Sequence, residues 1–532
     1  MRLNNLLLAT CALAYTSSLP VLAQEAGDSE DLGLENLDQN PPQEGDEESQ
    51  KSKFYDVVVV TANRREELLQ RVPIAVTAVT AADLSASGVV SNTQLARKAP
   101  SLQMTYTGGA LLPYIRGIGS NNPSPGDETP IATYIDGVYQ SRSYATNFSF
   151  NNIQRVEVLK GPQGTLFGRN AAGGLIQVIT KDPVHEVGGE VSASYGNYDT
   201  FSLQSYTTGG ITDSVAADLA LYYSNQGRGY GKNVFTGNEY GKNEDFAVRS
   251  KWKYSQGGTD IALSLDYRSL ETDRPLGLRS PPGTRNIYGE LPPSDFQDIV
   301  ATEDPGLNIE SWGIALNARH DLGFADLVSI SAYRQSDLDY EQDGDTSPID
   351  GIYLIADEEV RTFSQELQLK SNSSGALQWS SGLFYMHDES GYTPFNLRGL
   401  DLGSIIDIWS RIDTDSYSVY ADATYDISES TELTGGIRWT VDERSVWGFN
   451  GISTPDGVPL LDTPEFTDSD SFSRPTWRLI LNQSIGPDSI LYGSYSRGFK
   501  SGGYAAAAIT DAPYKSAYCP PSATMRQIGK IA

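Results

Sequence analysis

Residues 153–181, IQRVEVLKGPQGTLFGRNAAGGLIQVITK, decide how the rest of the chain is read. Val156, Val158 and Leu159 read as a short buried strand, Gly161-Pro162-Gln163-Gly164 as a tight turn, and residues 175–180 as a second strand. Between them runs a Gly-rich crossing that contains Gly168, Gly173 and Gly174. Glycines so placed let backbone pass close to backbone or take positive φ, which suits a compact body wedged inside something larger. A phosphate-cradling loop does not fit, because Gly164 and Gly168 are followed by Arg169-Asn170 where such a loop carries Lys-Ser/Thr. An ordinary β-rich soluble domain can hold the same turn, so the neighbouring motifs must decide.

Upstream come Asp56-Val57-Val58-Val59-Val60-Thr61-Ala62, then Pro73-Ile74-Ala75-Val76-Thr77, then Ala99-Pro100-Ser101-Leu102. Arg116-Gly117-Ile118-Gly119 and Tyr134-Ile135-Asp136-Gly137-Val138-Tyr139 follow. In this order the segments resemble the plug domain of TonB-dependent outer-membrane receptors, and residues 56–62 resemble the TonB box. The resemblance makes Arg116, Gly117, Asp136, Gly137, Arg155, Glu157, Gly161, Pro162, Gly164, Gly168, Arg169, Gly173 and Gly174 the structural motif of the plug. It implies that charged residues among them tie plug to barrel wall; salt bridges within the plug are the plainer reading.

The resemblance orders the chain as follows. Residues 1–23 read as a signal peptide, with Arg2, an apolar core and Val21-Leu22-Ala23 before the cleavage point. Residues 24–55 form an acidic, disordered periplasmic arm. It is too short for the extra signalling domain some relatives carry, so a transducer role is not expected. Residues 56–62 are the box-like segment, a β-branched run suited to add as a strand to a partner's sheet edge; the competing reading is a first plug strand. Residues 63–183 form an α/β plug, with Thr80 capping one short helix and residues 91–97 forming another.

Beyond Pro183 the pattern alternates. Ile261, Leu263, Leu265 and Tyr267 face away from Asp260, Ser264, Asp266 and Arg268; Tyr417, Val419, Ala421, Ala423 and Tyr425 face away from Ser418, Asp422 and Thr424. Short turn-like links near 213, 257, 322, 373, 428 and 487 interleave with long ones at 225–243, 270–310, 338–358, 388–411 and 444–470. That alternation is what a transmembrane barrel needs, with tight inner turns and extended outer loops, and Tyr and Trp at strand ends match its interfacial girdles. The fold expected is mainly β: an incomplete transmembrane antiparallel barrel of about 13 strands over residues 184–503, with the plug in its lumen. Residues 504–532 read as an irregular tail. The family's barrel is larger and ends on an aromatic, so a truncated receptor is the expectation.

The chain has 68 acidic against 39 basic residues, a formal charge of −29, which argues against nucleic acid as a partner. No stretch beyond the leader is long and apolar enough for a membrane helix. The two cysteines, Cys11 and Cys519, leave no intrachain disulfide once the leader is removed. The three histidines, His185, His320 and His387, lack metal-ligand spacing, and no catalytic constellation, cofactor or metal site is expected. Asp337, Asp339, Asp343 and Asp345 read as a solvated acidic loop.

The resemblance implies energised uptake: residues 56–62 pair with the TonB energy coupler, the barrel sits in outer-membrane lipid, and a small-molecule substrate binds at outer loops and the plug's outward face. Arg116 to Ser120 are expected near that face. A ferric siderophore is the family's commonest cargo; saccharides, cobalamin and aromatic compounds are alternatives, as is a non-functional receptor fragment.

Overall fold

The computed structural model describes residues 58–89, 92–142, 152–273, 278–372, 375–486, 489–507, 515–516 and 524–531. The signal peptide, the arm, and Asp56 and Val57 of the box-like segment lie outside the described residues.

The plug is built from β1 (Val59–Val60), β2 (Glu67–Leu68), β3 (Val76–Thr80), α1 (Ala81–Ala86), β4 (Leu102–Thr107), β5 (Ala110–Ile115), β6 (Ile131–Ile135), β7 (Val138–Gln140), β8 (Ile153–Lys160), α2 (Gly164–Phe167) and β9 (Gly174–Thr180). Its sheet has the order β3-β8-β9-β6-β7, with β6 and β9 parallel and the other pairs antiparallel. The opening stretch thus supplies the two central strands, and Leu84, Leu95, Ile115, Val156, Val158, Ile176 and Val178 pack into a core on one face. Thr80 Oγ1 accepts from Asp83 N at 3.2 Å while Asp83 Oδ2 accepts from Thr80 N at 3.0 Å, a reciprocal cap that starts α1. The second short helix is a 3-10 turn, Asn92–Arg97.

The expected turn at 161–164 is instead the approach to α2, a single helical turn that fills the space between the strands. Gly174 shows why the crossing needs glycine. Its φ is 147°, and a Cβ there would lie 2.4 Å from the Leu159 carbonyl oxygen. Gly174→Ala is expected to lower stability by about 2–4 kcal/mol, read as a shift in the denaturant midpoint of the plug's unfolding.

The barrel sheet follows chain order: β10 (Gly188–Gly196), β11 (Thr200–Thr212), β12 (Val215–Gln226), β15 (Asn243–Gln256), β16 (Thr259–Thr272), β17 (Gly306–Asp321), β18 (Ala325–Asp343), β19 (Tyr353–Ser371), β20 (Leu377–Arg398), β21 (Ile405–Ser428), β22 (Thr431–Ser453), β24 (Phe466–Ser484), β25 (Ile490–Arg497) and β28 (Thr524–Ile531). All neighbours are antiparallel; short pieces β13 (Gly231–Lys232), β14 (Glu239–Tyr240), β23 (Pro459–Asp462), β26 (Gly503–Tyr504) and β27 (Lys515–Ser516) decorate the connections. Links 213–214, 257–258, 322–324 and 429–430 lie at one end; 227–242, 273–305 and 454–465 lie at the other.

Two expectations need correction. The outer links at 338–358 and 388–411 shrink to 344–352 and 399–404, because β18 to β21 keep pairing above the apolar belt. There the outward face turns acidic (Asp337, Asp339, Glu341, Asp357, Glu359) while the inward face is apolar (Leu338, Tyr340, Val360, Tyr392, Ile412), so the polarity of the alternation is reversed relative to the lipid belt while the backbone ladder continues, through a register shift between Ser390 and Phe395. The expected irregular tail contains β28, paired to β25 from Ile490↔Ile531 to Arg497↔Thr524. Its sequence, TMRQIGKI, alternates too weakly to announce a strand.

Outward side chains place the sheet in a membrane. Phe246 and Tyr267, Trp312 and Tyr333, Phe363 and Tyr385, and Tyr385 and Tyr417 meet ring to ring across successive strands at 6.3, 5.4, 6.3 and 5.2 Å. This is an aromatic girdle, with Leu265, Ile314, Leu316, Leu367 and Val419 exposed on its inner side. Among the described residues no helix is long and apolar enough to cross a membrane.

Candidate functional site

The Gly-rich crossing is the plug's seat on the wall. An added Cβ at Gly164 would be 3.3 Å from Gly498 Cα, and one at Gly168, where φ is 80°, would be 2.6 Å from Arg438 Nη2. That close approach delivers Arg169 into the wall. Its Nη2 donates to Glu128 Oε1 at 2.5 Å and its Nε lies 3.6 Å from Asp442 Oδ2. Arg444 on β22 donates to Glu128 Oε2 at 2.6 Å and to the Gly126 carbonyl at 2.5 Å. Two plug residues and two wall residues, all buried, therefore form a charge-balanced quartet. Burial pushes the Glu128 carboxyl up, but the facing Arg169 and Arg444 guanidinium groups outweigh it and hold it well below the usual carboxylate range.

Asp136 (φ 48°) and Gly137 (φ 85°) form the two-residue turn between β6 and β7. Asp136 accepts from Thr180 N at 2.9 Å and pairs with Lys251 Nζ on β15 at 3.2 Å. It is a second tie between plug and wall. Arg155 and Glu157 act differently: they pair with each other at 2.8 Å inside the plug. Arg116 (φ 52°) and Gly117 (φ 79°) make an exposed turn at the base of the β4–β5 hairpin. The hairpin tip, not Arg116, meets the outer strands, with Gly109 against Leu307 and Tyr340. Arg116 sits one strand length from the face where it was expected, because β5 runs from tip to base.

Glu157 receives the N-terminal segment. Thr61 N donates to its two carboxylate oxygens at 2.9 and 3.0 Å, and Gln177 Nε2 donates to Thr61 Oγ1 at 2.7 Å. Val60 and Ala62 are fully buried, and β1 folds back on β2 with Val59↔Leu68 and Val60↔Glu67. The residues that follow are clamped to the wall. Arg64 Nη1 pairs with Glu366 Oε2 at 2.9 Å while its guanidinium lies 4.7 Å from the Phe167 ring centroid. Lys370 Nζ donates to the Arg64 carbonyl at 2.9 Å, and Arg478 Nη1 to Asn63 Oδ1 at 2.9 Å. Val58 to Ala62 are thus held as plug structure, with β-addition to a partner requiring their release.

Sequence reasoning missed Arg64, Glu128, Glu366, Asp442 and Arg444. Glu128 lies in a loop without a motif, and the wall residues are single inward positions among many alternating polar ones; two charged positions that meet only in three dimensions leave no local signal.

The plug portion matches the family model described as TonB-dependent Receptor Plug Domain over residues 69–175, and the model described as TonB dependent receptor-like, beta-barrel, matches residues 132–523. The chain belongs to the TonB-dependent receptor family. Receptors of this family are outer-membrane proteins of Gram-negative bacteria, and they are transporters and receptors rather than enzymes. The receptor is 30% identical over 159 residues to the pesticin receptor of Yersinia pestis, covering 30% of this chain and 24% of that protein. It is 28% identical over 244 residues to the vitamin B12 transporter BtuB of Vibrio vulnificus, covering 41% and 39%. The matched region therefore spans well under half of these curated relatives. Among solved structures, the ferric yersiniabactin uptake receptor FyuA of Yersinia pestis superposes with a TM-score of 0.70 at 18% identity, over 86% of this chain and 69% of that one. The ferric-catecholate import receptor Fiu of E. coli K12 in its open form gives 0.63 at 17% identity, over 82% and 71%.

One grouping on the receptor's outer surface has ligand chemistry: atoms of His387, Glu389 and Asp413 lie within 4.8 Å of one another. Each is engaged elsewhere, His387 with Asp415 at 3.0 Å and both carboxylates with Arg411 at 2.7 and 3.0 Å, so the group is a salt-bridge net.

Proposed function

We propose that the receptor imports a scarce small molecule across the outer membrane, energised through its N-terminal segment by the TonB coupling protein. The observation that carries this reading is the docked segment 58–62: a β-branched strand pinned by Thr61 to Glu157 inside the plug, and followed at once by a wall clamp at Arg64. A strand so held is inert until released and then offers a free edge for β-addition, so pulling on it acts on the plug itself. The substrate read as most consistent with the relatives is a ferric siderophore, with cobalamin as the second reading, because the names of similar proteins include a ferric yersiniabactin uptake receptor, a siderophore receptor and a vitamin B12 transporter.

Val58→Pro tests the coupling. In the docked form Val58 contributes its carbonyl, which accepts from Leu69 N at 2.9 Å, and proline keeps that carbonyl. Proline removes the donor that a partner strand would use. Uptake of radiolabelled iron from a panel of ferric siderophores, and of labelled cyanocobalamin, is expected to fall at least about tenfold, while heat-modifiable migration stays unchanged. Uptake that survives the substitution, or that persists in cells lacking the coupler, rules out energised import.

A further inference from the structure

A cavity of about 860 Å³ lies between the plug and the inner half of the wall. Its plug side is residues 61–67, the Asp136-Gly137 turn and the end of β9; its wall side is the inward face of β15 to β20. Val138, packed on Val328, Ile330 and Ala332, closes it toward the outer face. The docked, Arg64-clamped segment forms its other limit.

The charge of this cavity departs from that of the chain. The whole chain carries −29, yet eight basic and seven acidic side chains line the cavity. Several of these cancel: Lys251 and Lys253 share Asp182 at 3.1 and 2.6 Å, Arg334 holds Asp266 at 2.8 Å, and Arg319 lies between Asp260 and Asp326 at 3.2 and 3.0 Å. Arg65, Arg249 and Lys370 make no ion pair within 4.0 Å among the described residues. Arg249 Nη1 donates to Asn152 Oδ1 at 3.0 Å, Lys370 Nζ to the Arg64 carbonyl at 2.9 Å, and Arg65 Nη2 to Ser371 Oγ at 2.9 Å and the Trp379 carbonyl at 2.5 Å. Glu67 and Asp326 act on Arg65, Glu366 and Asp326 on Lys370, and Asp266 on Arg249 from beyond ion-pair distance. These three cations are thus balanced only at longer range and their direct hydrogen bonds go to neutral acceptors, which leaves their donors turned to the cavity as a local positive patch.

We infer that this cavity is the inner vestibule through which an anionic small molecule, bearing carboxylate, phosphate or sulfonate groups, leaves the lumen on the β15–β20 side of the plug. Its volume is that of a small-molecule site. The inference rests on the importer reading and narrows it to a substrate class and a side of the plug.

The test places one thiol in the cavity, Ser264→Cys, in a full-length chain carrying Cys11→Ser and Cys519→Ser, and purified in detergent. Modification rates are compared for two methanethiosulfonates of similar size, one bearing a sulfonate and one a trimethylammonium, each normalised to Ser430→Cys on an exposed inner turn. The anionic reagent is expected to be at least about tenfold faster, and less so as salt rises. Arg249→Gln with Lys370→Gln should bring the ratio toward one; Arg249→Gln alone should lower it partway should the double variant not fold. Equal rates, a preference for the cation, or an anion preference that survives these substitutions overturns the inference. Because this readout needs no transport, it fails separately from the Val58→Pro uptake result.

Discussion

Glu128→Gln is expected to cost about 3–5 kcal/mol of plug seating, the range seen when one partner of a buried ion pair is removed and the other is stranded. Glu128 is the carboxylate that both Arg169 and Arg444 touch, so its neutral amide leaves two buried guanidinium groups with Asp442 alone, 3.6 Å from Arg169. The wall has its own ladder and does not need the quartet, whereas the plug does. Proteolysis of the plug should therefore accelerate while the barrel's heat-modifiable migration persists. Adding Arg444→Met should recover part of the loss, since Arg169 and Asp442 then balance. The pH dependence has a defined sign. A carboxyl whose folded pKa is depressed contributes stability that is present above the ordinary Glu value of about 4.3 and is lost as pH falls toward its folded value. Wild type and Glu128→Gln should differ near neutrality and converge in acid. Equal plug protection at pH 7 would show that the glycine-mediated fit and the Asp136–Lys251 and Arg64–Glu366 ties seat the plug without the quartet.

How much of this was legible in sequence depended on whether the cause was local. The strands around the Gly-rich crossing, the Thr80 cap and the lipid-facing alternation of Tyr417 to Tyr425 each arise from periodicity or spacing within a few residues, and each is where the sequence placed it. The upper parts of β19 to β21 and the strand Thr524–Ile531 were missed because alternation reports lipid contact, not hydrogen bonding. At the site, Asp136 and Arg169 were read as residues that could meet the wall, and they do meet it. Arg155 and Glu157 are charged residues in similar company in sequence but pair with each other inside the plug, where Glu157 also receives Thr61 of the N-terminal segment. Sequence showed which residues were costly to bury. Which partner each found was a property of the three-dimensional fold: Lys251 for Asp136 and Asp442 for Arg169 lie more than a hundred residues away, whereas Arg155 found Glu157 two residues on.

Glu366→Gln is expected to free the box-like segment without any substrate. Arg64 is buried beneath Phe167 and beside Tyr134, with Glu366 at 2.9 Å and Lys370 at its carbonyl. Glu366 also accepts from Tyr420 Oη at 2.7 Å, so its position on β19 is fixed. With Gln there, Arg64 keeps its ring contacts but loses the carboxylate that balanced it among Arg65, Lys370 and Arg438. The strained Arg64 backbone, φ 57°, then has less to hold it. If about 2 kcal/mol of the broken pair falls on docking, the open population rises about 30-fold. Val60→Cys, fully buried when docked, reads this directly as a rate of reaction with a bulky thiol reagent in a chain whose own cysteines are replaced. Glu157→Gln, which removes the plug-side anchor of Thr61, gives the comparison. Faster labelling in Glu366→Gln places control of release in the barrel wall, where inward strands can relay events at the outer loops; labelling that accelerates only in Glu157→Gln places it in the plug, and the clamp at Arg64 is then packing alone.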